Sequence, residues 1–479
     1  MAEDTQPTTD DAELKARVDA YVDEVWDDVV EDIRTLVQVE SVEDLEHAEP
    51  GKPFGPAPAE ALRRALAIAD RLGLKTTNCE GYLGFGDVPG ADGKYVATIC
   101  HSDIVPLGLG WTVDPLDVTR REGYLLGRGT QDDKGPLVVS LYAAAFFARE
   151  VERSGKPLPH TLRAMIGANE ETGMADVEYY LEHYPEPDFL FSPDADFPLI
   201  CGEKGVYHGK FTSAAVAGER IVELDGGTVP NAIPGLATAL VRADAASLPA
   251  AEGIAVEDAG DGLARIKATG KGGHASMPAG TVNAIGVLVR YLLDQGICGE
   301  GERTFLELER TLTASTDGST MGIASADDKF GPLTCIAGTV RTRDGRFEQT
   351  VDSRYPTSTT GSRISSCLRQ LAQRHDATYD VLADAVPFYI EPTSPEIHAL
   401  LATYSEYAGV DAHAFTIGGG TYARHFKRAC AFGPHEDKPT PEWVGIEHGP
   451  DEGVNEEDLK RALKVYIVSI ARLMRLPLE

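Results

Sequence analysis

The chain has 479 residues and a formal charge of −32, with 42% hydrophobic and 25% charged residues. This length predicts two or three domains, and the composition is that of a folded globular protein, which excludes wholesale disorder. The acidic excess argues against nucleic acid or an anionic membrane surface as a partner, because both attract clustered Lys and Arg. We expect most of the carboxylates to form a solvated surface.

The seven cysteines are widely spaced, and none of them forms a Cys-x-x-Cys pair. This pattern predicts reduced thiols in a soluble, cytoplasmic protein. The first residues, MAEDTQPTTDD, are acidic and polar and predict no signal peptide. The longest apolar run, at 137–148, is too short and too interrupted to span a bilayer.

The first part of the chain alternates helical and extended patterns. Apolar residues recur every three or four positions from Leu14 to Leu36, and more weakly over 59–74, which predicts two amphipathic helices. A further helix is predicted from Pro136 to about Arg153. Short apolar runs predict buried strands at 95–100, 161–166 and 189–191. Such alternation predicts an α/β domain with parallel strands.

The composition changes near Gly202, after which Gly, Thr, Ala and Ser are plentiful. Alternating stretches at 263–268 and 333–340 surround one predicted helix at about 281–295. We interpret 206–384 as an inserted α+β lid domain, and 1–205 with 385–479 as an α/β domain whose mixed sheet is flanked by helices. The last part is predicted to contain a helix at 395–407, a Gly-rich loop at 418–420 and a closing helix capped by Asn455.

Chemically active side chains follow each predicted strand of the first domain. Ligands of open α/β sheets bind beyond the carboxyl ends of strands. The residues that follow the predicted strands are His101, Asp103, Glu170, Glu171 and Asp194. Asp132 and Asp133 stand at the start of the intervening helix, and His448 precedes the closing helix. Imidazole and carboxylate without thiolate suit zinc, cobalt or manganese. On spacing alone, a set of helix caps and turn residues stays open as the alternative.

Several segments together resemble a known family. HSD (101–103), GRGTQDDKG (127–135), EETG (170–173) and SPDADFP (192–198) resemble the aminoacylase and carboxypeptidase type of co-catalytic zinc peptidases. GEKG (202–205), SRYP (353–356) and IGGGTYAR (417–424) are similar to the dipeptidase V and carnosinase-like branch. The similarity extends from about residue 15 to the C-terminus, and the motifs keep their order.

The resemblance implies a centre for two divalent ions, with Zn²⁺ expected first and Mn²⁺ or Co²⁺ as alternatives. Asp132 would bridge both ions. One ion would also bind His101 and Asp194, and the other Glu171 and His448. The peptide bond between Asp132 and Asp133 would be cis.

The resemblance also implies the catalytic roles. Glu170 would be the general base that activates the metal-bridging water, and Asp103 would hydrogen-bond the His101 imidazole. One departure is Asn169, which stands where many relatives carry an acid; we expect it to change the local charge and not the chemistry.

The resemblance also implies substrate contacts from four residues: His274, Arg354 and Asn231 in the inserted domain, and the main-chain amide of Gly418 in the later Gly-rich loop. His274 would stabilise the oxyanion, and Arg354 would grip a substrate carboxylate with its planar fork. Local sequence alone also fits a turn histidine at 274. Asp196 fits either a partner for a substrate ammonium or a turn cap.

These features favour a dinuclear metal-dependent dipeptidase acting on short peptides with a free N-terminus, including Xaa-His or β-Ala dipeptides. An N-acyl amino acid deacylase with the same metal site is the alternative. A third, different class is a non-catalytic metal- or peptide-binding protein. The insertion is longer than the lid of dimeric relatives, so the resemblance implies a monomer that supplies the lid histidine from its own chain.

Overall fold

The structure is a computed structural model that describes residues 9–478. Most of the N-terminal segment considered for a signal peptide therefore lies outside the described residues. The α-helices are α1 (Thr9–Val37), α2 (Pro56–Arg71), α3 (Lys134–Ser154), α4 (Ala175–His183), α5 (Ala284–Asp294), α6 (Glu300–Leu312), α7 (Gly361–Arg374), α8 (Pro395–Ala408) and α9 (Glu456–Leu473). No helix within residues 9–478 is both long and apolar enough to cross a membrane.

The strands fall into three stretches of the chain. The first stretch contains β1 (Lys75–Cys79), β2 (Leu83–Val88), β3 (Tyr95–His101), β4 (Thr119–Arg121), β5 (Tyr124–Leu126), β6 (Thr161–Gly167), β7 (Phe189–Ser192), β8 (Ala195–Asp196) and β9 (Ile200–Glu203). The second contains β10 (Gly205–Ser213), β11 (Ile221–Gly226), β12 (Ala232–Ile233), β13 (Leu236–Arg242), β14 (Ile254–Gly260), β15 (Leu263–Thr269), β16 (Gly273–His274), β17 (Ala326–Asp327), β18 (Gly331–Pro332), β19 (Thr334–Arg343), β20 (Arg346–Tyr355) and β21 (Ala377–Ala385). The third contains β22 (Phe388–Tyr389), β23 (Phe415–Ile417), β24 (Ala429–Ala431), β25 (Pro434–His435) and β26 (Gly453–Asn455).

The described chain divides into two compact units. The first unit comprises the chain up to Cys201, Tyr389–Phe415 and the chain from Gly420 onward. The second unit comprises Gly202–Phe388 and a four-residue return, Thr416–Gly419. The predicted boundaries lie at 205/206 and 384/385, and no local feature of the sequence indicates the four-residue return.

The first unit contains a mixed sheet in the order β1-β2-β6-β3-β7-β24-β9-β22, with β23 beside β9. Strands β6, β3 and β7 are neighbours and parallel, and β2 is antiparallel to β6. Helices α1, α3 and α9 pack against one another over a core of buried aliphatic and aromatic side chains. This confirms the predicted α/β class and the helices predicted from the apolar periodicity.

The helix ends follow local chemistry. The Asn455 side chain accepts hydrogen bonds from the N–H groups of Glu457 and Asp458 and so caps α9, as predicted. Helix α3 ends at Ser154 and is followed by Gly155, whose φ of 64° is in the left-handed region that glycine tolerates.

The second unit is built on an antiparallel sheet in the order β14-β15-β13-β11-β19-β20-β10-β21. Helix α5 packs against β13 and β15, and α6 and α7 pack against other strands of the sheet. The expectation of a single helix in the insertion is wrong, because α6 and α7 are helices of 13 and 14 residues. Their buried faces carry Phe305, Leu308 and Leu312 in α6, and Ile364, Leu368 and Leu371 in α7. The α+β class of the insertion is nevertheless confirmed.

Candidate metal centre

Three parallel strands bring the first set of predicted residues to one edge of the sheet. His101 ends β3 and lies opposite Gly167, which ends β6 three residues before Glu170. Strand β7 ends at Ser192, two residues before Asp194. The carboxyl ends of parallel strands meet at the same edge. The strand order therefore places these side chains together, although they are far apart in the sequence.

Two further loops bring Asp132 and His448 to the same place. Strands β5 and β26 pair antiparallel, with Gly453 opposite Leu126, so the loop that follows β5 runs beside the loop that precedes β26. Asp132 lies in the first loop, just before α3, and His448 lies in the second. The peptide bond between Asp132 and Asp133 is cis.

Asp132 lies between the two imidazoles. Its Oδ1 is 2.9 Å from His101 Nε2, and its Oδ2 is 2.9 Å from His448 Nε2. Asp194 Oδ2 is 3.7 Å from His101 Nε2, and Glu171 Oε2 is 3.2 Å from His448 Nε2. We call these five residues together with Glu170 the carboxylate–histidine cluster. One carboxylate with an oxygen toward each histidine is the arrangement that a bridging ligand of two ions requires.

The cluster fits divalent cations. His101, Glu170 and Asp194 form one group whose potential ligand atoms lie within 4.8 Å of one another, and His101, Asp132 and Glu171 form a second such group. Glu171 Oε1 is buried and has no hydrogen-bond partner among the described residues. Imidazole and carboxylate donors suit Zn²⁺, Mn²⁺ or Co²⁺. Glu170 is close enough to serve as a ligand, so distance alone does not separate its role from that of Glu171.

The electrostatics of the cluster also favour a cation. Burial and the charge of Asp132 raise the pKa of Asp194 to about 7. Burial raises the pKa of Glu170 well above its usual range, and the neighbouring carboxylates add to this effect. Hydrogen bonds to Asp132 and Glu171 raise the pKa of His448 to about 11. Each of these shifts favours the protonated form in the metal-free protein, so metal ions would compete with protons at this cluster.

Asp103 lies beside the His101 imidazole. His101 Nδ1 is 3.1 Å from the main-chain oxygen of Asp103 and 3.4 Å from its carboxylate. The carboxylate also accepts the main-chain N–H of Glu171 at 3.1 Å. Residue 103 therefore borders the imidazole with both its carbonyl and its carboxylate, and its side chain also fixes the backbone of the Glu171 loop.

Two residues without a predicted role, Asp176 and Tyr422, hold the same loop. Asp176 Oδ2 accepts the N–H groups of Ala168 and Asn169 and the Tyr422 hydroxyl. The Tyr422 ring lies edge-on to His101, with ring centroids 6.5 Å apart. A Cβ at Gly167 would collide with the Tyr422 hydroxyl, so this close approach requires glycine there. Tyr422 belongs to the quoted Gly-rich motif, but Asp176 lies in no motif.

In the second unit, His274 lies on β16, which pairs with β12. Its Nδ1 accepts the main-chain N–H of Ser276 at 3.2 Å and lies 2.7 Å from the Ser276 hydroxyl. Because an amide N–H can only donate, Nδ1 is the acceptor, and the neutral ring carries its proton on Nε2. Partial desolvation and the charge of Arg354 lower the pKa of His274. His274 is therefore a neutral, exposed Nε2–H donor.

Arg354 is 6% exposed and is held on two sides. Its Nε and Nη2 donate to the two carboxylate oxygens of Asp352 at 2.8 and 2.9 Å, and its Nη1 donates to the Gly418 oxygen at 3.0 Å. His208 Nε2 lies 2.6 Å from Asp352 Oδ2. A guanidinium has five N–H donors, so one donor on each Nη is left for a ligand.

The remaining predicted residues have the following positions. The main-chain oxygen of Asn231 accepts the N–H of Ala275, which puts Asn231 beside His274. Gly418 belongs to the return segment of the second unit, and a Cβ there would contact Ser276. Thus all four candidate substrate residues lie in the second unit. Asp196, on β8, is exposed, and its main-chain oxygen accepts the N–H of Gly433.

Comparison with known proteins identifies the class. The model of peptidase family M20/M25/M40 matches residues 97–472. The chain belongs to this family and is a hydrolase of peptide bonds with a metallopeptidase site. This confirms the resemblance that the sequence motifs indicate.

Individual relatives agree over nearly the whole chain. The Beta-Ala-Xaa dipeptidase of Lactobacillus delbrueckii subsp. lactis is 30% identical over 94% of this chain and 96% of its own length. Human carnosine dipeptidase 1 has a similar fold, with a TM-score of 0.59 and 15% identity over 97% of this chain and 99% of its own. The dipeptidase Dug1p of Saccharomyces cerevisiae also has a TM-score of 0.59, with 13% identity over 97% and 99% of the two chains.

Proposed function

We propose that this protein is a dinuclear metal-dependent dipeptidase that hydrolyses short peptides with a free N-terminus. The observation that carries the proposal is the position of Asp132, whose two carboxylate oxygens lie 2.9 Å from His101 and His448. Asp194 would complete the His101 half, and Glu171 the His448 half. We expect zinc first, with manganese or cobalt as alternatives, because the donor set suits all three.

The chemical step uses Glu170 as the general base. When bound, the two ions would lower the pKa of a water molecule and polarise the scissile carbonyl. Glu170 takes the proton as the water oxygen attacks the carbonyl carbon. It then delivers that proton to the amine nitrogen as the carbon–nitrogen bond breaks. Glu170 and Glu171 are adjacent in the chain, so Glu171 can hold an ion while Glu170 remains available to the water, which supports this role.

The substrate would be held by residues of the second unit. His274 offers its Nε2–H to the developing oxyanion, and Ser276 fixes the tautomer that makes this possible. Arg354 offers its two remaining N–H donors to the C-terminal carboxylate of a dipeptide. Asn231 and Gly418 adjoin these two residues and would contact the peptide between them.

Substrate choice is the finer part of the proposal. The name of the Lactobacillus relative, Beta-Ala-Xaa dipeptidase, supports dipeptides with an N-terminal β-alanine among the substrates. The alternative that the sequence leaves open, an N-acyl amino acid deacylase, would use the same ions and base. The two functions differ in whether the substrate carries a free ammonium.

Parallel assays of β-Ala-His, Ala-His and N-acetyl-histidine with the zinc-loaded protein test the choice. We expect hydrolysis of both dipeptides, with a kcat/KM at least about 100-fold above that for the acetylated amino acid, as expected for loss of a charged contact. Faster hydrolysis of N-acetyl-histidine would favour the deacylase. Tight peptide binding without turnover would favour a non-catalytic binding protein.

We also propose a monomer, since the long insertion supplies His274 from the same chain. A stable dimer in analytical ultracentrifugation would contradict this. The cytoplasmic location that the cysteine spacing favours stays a prediction.

A further inference from the structure

Glu452 is a buried carboxylate four residues after His448, and the mechanism above gives it no role. Its side chain is 0% exposed, and that of its partner Arg128 is 1% exposed. Burying two charges is costly unless hydrogen bonds satisfy them. The hydrogen bonds that Glu452 and Arg128 make in return are therefore informative about their role.

One carboxylate oxygen of Glu452 organises the loop that leads into Asp132. Oε1 accepts the main-chain N–H groups of Gly129, Gln131 and Asp132 at 2.9, 3.1 and 3.2 Å. The main-chain oxygen of Glu452 accepts the N–H of Gly127 at 2.9 Å. The backbone position of Asp132 is thus fixed by a residue from the other end of the chain.

The second oxygen reaches His448 through Arg128. Glu452 Oε2 accepts Arg128 Nη1 at 2.5 Å, and Arg128 Nη2 donates to the main-chain oxygen of His448 at 3.1 Å. His448 has a φ of 63°, in the left-handed region that residues other than glycine rarely adopt. Arg128 therefore bonds the main chain of His448, the residue whose uncommon backbone conformation directs its imidazole toward Asp132.

We propose that Glu452 and Arg128 are positioning residues that set the separation of Asp132 and His448, and so shape the half of the metal centre that contains Glu171 and His448. This inference rests on the proposed dinuclear function. It concerns one half because the other is tied separately: the buried Asp133 accepts the main-chain N–H of His101 at 2.9 Å. Neither Glu452 nor Arg128 needs to contact an ion or the substrate.

The expected consequence is an unequal loss of metal. Outer residues that orient ligands change metal affinity about 10- to 100-fold when they are replaced. Glu452→Gln removes the charge that Arg128 requires, and Arg128→Lys replaces a fork that spans Glu452 and His448 with a point donor. Because Asp132 is shared by both ions, we expect some weakening of both, but the ion held by Glu171 and His448 should weaken about 10- to 100-fold and the other clearly less.

Competition titration with a chromophoric chelator tests this by giving a dissociation constant for each Zn²⁺ bound to the metal-free protein. Glu456→Gln is the matched control, because Glu456 is also buried and paired with an arginine, Arg120, but contacts neither loop of the metal centre. The control should bind both ions like the wild type. Dipeptide turnover of Glu452→Gln should recover toward wild type in excess zinc, which general structural damage would not allow.

Unchanged affinity for both ions in Glu452→Gln and Arg128→Lys would overturn the inference, and so would equal weakening of both ions. Arg128→Lys keeps a buried positive charge beside Glu452, so it keeps the test decisive if Glu452→Gln does not fold. If the wild-type protein binds fewer than two ions, the proposed dinuclear function itself is overturned. If the wild type binds two ions and the variants show no selective loss, only the role of Glu452 and Arg128 is overturned.

Discussion

The carboxylate–histidine cluster and the candidate substrate residues are held in different ways. In the first unit, the His101 side chain is 0% exposed, and the loops around it are fixed by the buried carboxylates of Asp103, Asp133 and Asp176. In the second unit, His274 is exposed and lies on a two-residue strand beside Ser276. Buried hydrogen-bonded networks hold reacting groups at fixed distances, and exposed loops adapt to a ligand. We therefore expect substitutions in the first unit to remove the chemistry, and those in the second to weaken the recognition of the substrate and the transition state.

The largest effect is expected at Glu170. Glu170→Ala should lower kcat for a dipeptide about 10⁴-fold, the upper end of what a general base contributes. Both ions should remain bound, because the other cluster residues are unchanged. Steady-state kinetics together with metal analysis of the same sample check this. A variant with near wild-type kcat would remove Glu170 from the role of base, and loss of an ion would make it a ligand.

The next effect concerns the oxyanion donor. His274→Ala should lower kcat about 100-fold, since removing one such donor typically costs that much. Metal content should not change, because His274 belongs to the second unit. His375→Ala is the control, since His375 lies in the same unit and bonds the main chain of Thr304. Equal losses in both variants would show that the effect is not specific to the oxyanion.

A smaller effect is expected at Arg354. Arg354→Lys should raise KM for dipeptides about 10-fold with little change in kcat, because an ammonium cannot bond Asp352 and a carboxylate in the same plane. Arg341→Lys, which alters an arginine that bonds Gly226 and Gly227, should leave KM unchanged. A pure kcat effect at Arg354 would contradict its role in binding the carboxylate.

A last effect is expected on the pH dependence of the free energy of unfolding. The pKa of Asp194 is about 7 in the folded metal-free protein and 3.8 as the ordinary value. Between these values the folded state binds the proton and the unfolded state does not, so the free energy of unfolding falls as pH rises from about 4 to about 7. Urea titrations of metal-free Asp194→Asn should show a shallower fall than the wild type. A steeper fall in the variant would contradict the assigned shift.

Much of the fold and of the cluster was predictable from sequence because its signals are local. An apolar run that ends in His101 or before Asp194 marks a buried strand and the residues at its carboxyl end, so a parallel sheet brings them together. The periodicity at 14–36 similarly predicts α1 within a few residues of its observed ends. Strand order and helix packing then follow general rules of α/β domains.

What the sequence could not predict depends on contacts between distant residues. Glu452 is 324 positions from Arg128. Arg128 lies in a quoted motif and Glu452 in none, and no local pattern indicates that the two pair. Arg354 was predicted to grip a substrate carboxylate, but nothing in its local sequence indicates that Asp352 and Gly418 occupy three of its donors. Helices α6 and α7 were not predicted, although their apolar positions recur at helical spacing.

The most direct test of the dinuclear account is the hydrolysis of β-Ala-His by metal-free protein as Zn²⁺ is added in steps. We predict negligible turnover without metal and a maximum at two equivalents, because Asp132 presents one oxygen to each of two imidazoles. A maximum at one equivalent, or turnover that chelation does not affect, would contradict the account.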